Sequence, residues 1–77
     1  MASLDIKLFV LLAVYKLREA RVETIAEKAG LWPSLVRYVI RDLRQKGFVD
    51  EPEEGVFCVS QKGLEVIAPL MPPAEEA

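Results

Sequence analysis

"VETIAEKAGLWPSLVRYVIRDLRQKG", residues 22–47, decides how this chain is read. It holds two helical patterns separated by a turn. Val22, Ile25, Ala26 and Ala29 recur at i, i+3, i+4 and i+7, one side of a short helix over residues 22–30. Gly30 suits the position just past a helix, where a positive φ turns the chain. In "LWP", Pro33 disfavours helix at Trp32 and suits the first helical position itself, with Ser34 as a competing cap. The second helix then runs to about Lys46, and Gly47 ends it. Val36, Val39, Ile40 and Leu43 fall within about 100° of arc, a core face. Arg37, Arg41 and Arg44 fall within about 60° of one another on another face, which Ser34, Tyr38 and Gln45 continue.

The next stretch has the opposite charge. Residues 48–60 read "FVDEPEEGVFCVS", two β-prone runs around "EPEEG", with Pro52 and Gly55 supplying a turn. This predicts a two-stranded hairpin whose tip carries Asp50, Glu51, Glu53 and Glu54 and no base. Net charge is only −2, but its distribution is uneven. Arg18, Arg21, Lys28, Arg37, Arg41, Arg44 and Lys46 gather in the middle of the chain. Lys62 is the only base after them. Strand alternation points Cys58 away from Phe57 and Val59, as a plain strand residue on the outer side.

Upstream, residues 4 to about 18 predict a first helix, with Ser3 as cap and Asp5 suited to its dipole. Its apolar residues lie nearly all round, so it is expected to be central or to share a face with a second subunit. Leu8, Leu12 and Tyr15 are the candidates for that contact. Downstream, "QKGLEVIAPLM" predicts a further short helix stopped by Pro69, Pro72 and Pro73. The expected organisation is one domain over residues 1–71 and a polar tail over 72–77.

The composition narrows function. Seventy-seven residues allow one domain, and 52% hydrophobic content argues for a folded one. One cysteine and no histidine exclude an internal disulfide and leave no credible zinc site. They also remove the usual general base and nucleophile pairs, so an enzyme is not expected, and neither is a cofactor or a small-molecule ligand. Asn is absent and Gln rare, a bias that thermophile proteins share. "MASLD" lacks a basic signal region, and "LFVLLAV" is too short to span a bilayer. The expectation is a soluble, cytoplasmic, nucleoid-associated protein.

Three runs in order resemble a winged helix-turn-helix domain of the compact MarR and ArsR type of transcription regulator. "VETIAEKAGL" resembles the first motif helix and turn. "SLVRYVIRDLRQKGFVD" resembles the recognition helix entering the wing, and "VFCVSQKGLEVI" the second wing strand leading into Ser/Thr-x-Lys-Gly. The fold class expected is therefore mostly α with a small β-hairpin (α+β): a three-helix core, a two-stranded wing and a short C-terminal helix. The resemblance implies double-stranded DNA as partner, bound as a homodimer. It places Ser34, Arg37, Tyr38 and Arg41 in the major groove, Arg44 at its edge, and Arg21 and Thr24 near the backbone.

The acidic wing departs from that pattern. Four carboxylates would be repelled by phosphate, so wing contact with DNA is not carried over. The simplest reading of the tip is a solvated turn; setting specificity by repulsion and binding a basic protein are the others. Exposed arginines also occur on plain solvated faces, and the ring of Tyr38 could pack over a neighbouring stem. Trp32 is expected to cover the edge of its own core. The alternative function is a protein–protein interaction module that uses the acidic wing and the apolar first helix.

Overall fold

The computed structural model describes residues 5–70. In order it has helix α1 (Ile6–Leu17), strand β1 (Glu19–Ala20), helix α2 (Val22–Ala29), helix α3 (Pro33–Gln45), strands β2 (Val49–Glu53) and β3 (Val56–Val59), and helix α4 (Gln61–Ile67). A 3-10 turn completes the order over Ala68–Leu70. The molecule is mostly helical with a small antiparallel sheet, an α+β arrangement. Ser3 and the tail over 72–77 lie outside the described residues. Among the described residues, no helix is long and apolar enough to cross a membrane.

The three longest helices enclose one core. Val10, Leu11 and Val14 of α1 meet Ile25 and Ala26 of α2 and Val36, Val39, Ile40 and Leu43 of α3, all buried. The four α3 residues are the ones its 100° spacing selects. Asp5 caps α1 by accepting from the Lys7 amide at 3.0 Å. Asp42 ties α1 to α3. Its Oδ2 lies 2.8 Å from Lys7 Nζ and 3.2 Å from Lys46 Nζ, out of contact with solvent and with no other donor near it. These ammonium groups hold the Asp42 carboxyl below its ordinary range, the Lys7 bond first.

Both glycine stops work by one device. Gly30 has φ 70°; its amide donates to Glu27 O and the Leu31 amide to Ala26 O. Gly47 has φ 84°; its amide donates to Arg44 O and the Phe48 amide to Leu43 O. In each case the left-handed residue lets two amides close back on the last carbonyls of the helix.

The "SQKG" run, residues 60–63, has a structural job. Ser60 Oγ accepts from the Gly63 amide, capping α4, and donates to Gly47 O. Lys62 Nζ donates to Lys46 O at 2.9 Å and lies 5.1 Å from the centre of the Phe48 ring. Gly63 packs directly on the Phe48 backbone carbonyl, where a side chain would collide. The run therefore clamps α4 to the turn that leaves α3.

The sheet corrects one expectation. It has three strands, in the order β1-β3-β2, not two. Glu19 pairs with Cys58 and Ala20 with Phe57. Two residues, one of them acidic and neither β-branched, give no strand signal of their own; they pair because β3 has an open edge beside them. On the other side Val49 pairs with Val59, Asp50 with Cys58 and Glu53 with Val56. The register shifts between Asp50 and Glu53, so β2 bulges at Pro52, a residue that an edge strand tolerates at such a place.

Candidate nucleic-acid interface

The outward side of α3 is built by what its other side buries. With Val36, Val39, Ile40 and Leu43 fixed in the core, Ser34, Tyr38, Arg41 and Gln45 are left exposed. Trp32 is the N-cap residue and Pro33 the first helical one, so Ser34 sits in the first turn and does not cap. Tyr38 is 68% exposed.

The three arginines share a face but not a fate. Arg44 Nε donates to Glu51 Oε1 at 3.1 Å. The second oxygen of Glu51 accepts from the Gly55 amide at 2.7 Å, so one carboxylate grips α3 and closes the hairpin turn. Arg37 Nη2 lies 3.7 Å from Glu23 Oε2, a loose and exposed pair. Asp42, nearer to the arginines in sequence than either of these acids, pairs with lysines on another side of the helix. Arg41 has no ion pair among the described residues.

Between α3 and the hairpin runs a groove of about 300 Å³. Its floor is Val22, Ile40 and Phe57, and Arg37, Arg41, Arg44 and Glu51 stand on its rim. A second depression continues it past Arg21, Glu23, Arg37 and Gly55. Arg21 reaches from the start of α2 to the hairpin turn, with Nη1 2.9 Å from where a side chain at Gly55 would begin. The groove thus gathers Arg21 with the three α3 arginines. Thr24 is exposed on α2 but does not line it.

The four acids of the hairpin separate in the same way. Glu51 turns inward to the groove, its side chain 24% exposed. Glu53 and Glu54 are exposed at the tip, in no ion pair among the described residues. Asp50 and Glu19 flank Cys58 across the sheet. Partial burial and then these two carboxylates push the Cys58 thiol up, which disfavours the reactive thiolate.

One expectation needs correction here. Trp32 does not cover the core: it is 79% exposed, the most open of the large apolar residues. It precedes the first turn of α3, so the helical spacing that directs Val36 and Val39 inward does not reach it. Leu8, Leu12 and Tyr15, at i, i+4 and i+7, lie along one side of α1; Leu8 and Leu12 are half-buried against the core and Tyr15 is exposed. Phe9, which the sequence pattern did not single out, is the exposed residue beside Leu12.

Among the described residues, no group of three His, Cys, Asp or Glu side chains is placed to hold a metal ion. The chain matches no known family model, and no curated protein is significantly similar to it in sequence.

Proposed function

We propose that this chain is a winged helix-turn-helix domain that binds double-stranded DNA, acting as a transcription regulator. On this reading α2 and α3 are the motif, α3 is the recognition helix, and β2 and β3 form the wing. One observation carries it: Ser34, Tyr38, Arg41 and Gln45 make an exposed row along a helix whose opposite side is locked into the core. A row of that composition offers what a major groove takes, with Arg41 able to reach guanine or phosphate and the hydroxyls able to reach phosphate oxygens. The element order fits the same reading, and the acidic tip keeps the wing from being a main contact.

Binding as a homodimer is part of the proposal. Phe9 and Tyr15 leave apolar surface on α1 for a second copy. The two recognition helices would then stand about 34 Å apart, one DNA turn. The test is an anisotropy titration with duplex DNA over a salt series. Neutralising about three to five phosphates per subunit gives a log–log slope of about −3 to −5. Absence of binding even at low salt would overturn the reading.

The second reading, a protein-interaction module, draws on a specific observation. Two of the three α3 arginines already hold internal carboxylates. For such a module the exposed acids Glu53 and Glu54 and the apolar α1 surface would be the working parts.

A further inference from the structure

The groove between α3 and the hairpin contains an anion of its own. Glu51 is not a solvated tip residue: one oxygen holds the Arg44 guanidinium and the other holds the turn amide of Gly55. The second bond fixes the carboxylate in place whether or not Arg44 stays with it. Arg37 has a weaker counterpart in Glu23. Arg41, between them in sequence, has none among the described residues.

We propose that Glu51 is a built-in competitor for phosphate at Arg44. It occupies the site a DNA phosphate oxygen would take, so Arg44 joins a complex only by exchanging one anion for another. The proposal rests on α3 being the DNA-contacting helix. Its physical content is an asymmetry among residues of one type. Arg41 meets DNA at no internal cost, whereas Arg44 must give up its partner and leave the Glu51 charge beside the duplex. Random DNA, which offers only phosphates, is thereby weakened. A correct site, which adds base contacts to Arg41 and its row, can offset the exchange. The acidic wing then sets specificity from inside the interface, through one residue, and not as a diffuse charge at its tip.

The test compares substitutions of equal charge. Glu51→Gln removes the competing charge, yet its amide oxygen can still accept from Gly55. Glu54→Gln removes an exposed hairpin charge with no partner among the described residues. Binding of a duplex of arbitrary sequence is measured for wild type and both variants over a salt series. Elution from immobilised heparin, a polyanion, is measured in parallel. The expected result is that Glu51→Gln binds random duplex about two- to fivefold tighter, with a salt slope steeper by about one, and elutes later from heparin. Glu54→Gln should change each quantity by less than half as much.

Equal effects of the two substitutions would overturn the proposal, because any lost hairpin charge would then do. If no form binds duplex but heparin still ranks Glu51→Gln well above Glu54→Gln, the competitor stands and the DNA reading falls. Arg44→Gln in the wild-type background keeps the idea testable should Glu51→Gln fold poorly. With Arg44 already occupied, it should lose far less random-duplex affinity than Arg41→Gln. Equal losses would contradict the proposal.

Discussion

Helix α3 and the hairpin after it form the two walls of one groove, and their charges are handled differently. On α3, three exposed arginines differ in what they hold: Glu23, nothing among the described residues, and Glu51. On the hairpin, four acids differ in where they point: Asp50 beside Cys58, Glu51 into the groove, Glu53 and Glu54 into solvent. The difference teaches that the opposing charges do not simply cancel. One acid is committed to one base across the groove, while Arg41, Glu53 and Glu54 stand in no ion pair among the described residues.

The strongest break of this pairing is to loosen the seating of α3 in the core. Leu43 is 3% exposed and lies at the end of α3 that leads into the hairpin. Leu43→Ala should cost about 2–5 kcal/mol of stability by leaving a cavity. Glu53→Ala at the exposed tip should stay within about 0.5 kcal/mol. Urea denaturation measures both. A small loss at Leu43 would mean that the groove does not depend on how α3 is seated.

A change of sign at the tip sharpens the contrast between the committed acid and the exposed ones. Glu53→Lys should strengthen binding to random duplex by about three- to tenfold at low salt, and the gain should vanish at high salt. A gain that persists in high salt would mean that the tip makes contacts other than electrostatic ones.

Much of this architecture was legible in the sequence. The spacing of Val36, Val39, Ile40 and Leu43 defined the buried side of α3, and Gly30 and Gly47 marked both helix ends. Three things were not. β1 is too short and too polar to signal itself, since its pairing is supplied by β3. Trp32 lies outside the helix whose periodicity would have placed it. The Arg44–Glu51 ion pair joins a helix residue to a hairpin residue that only the folded chain brings together. For Glu51 a signal did exist: in strand alternation it falls on the side of buried Val49, which pointed it inward. Pro52 and Gly55 beside it are turn residues, which by themselves indicate a solvated tip.

The smallest effect concerns the acid that serves neither wall. The Asp42 carboxyl is held below its ordinary value of 3.8 by Lys7 and Lys46. Its contribution to stability is therefore present above that value and is lost as pH falls through the depressed one. Thermal unfolding of wild type and Asp42→Asn should differ most near neutral pH and converge in acid below about pH 4. DNA affinity at neutral pH should be nearly unchanged in Asp42→Asn, because this acid faces α1 and not the groove.

The most direct measurement of α3 as the DNA-reading element is a paired titration of wild type and Arg41→Ala with duplex DNA across a salt series. Wild type should bind, and Arg41→Ala should lose about ten- to a hundredfold in affinity, with a shallower salt slope and unchanged thermal stability. Equal affinity of the two proteins, or no binding by either at the lowest salt, would contradict the assignment.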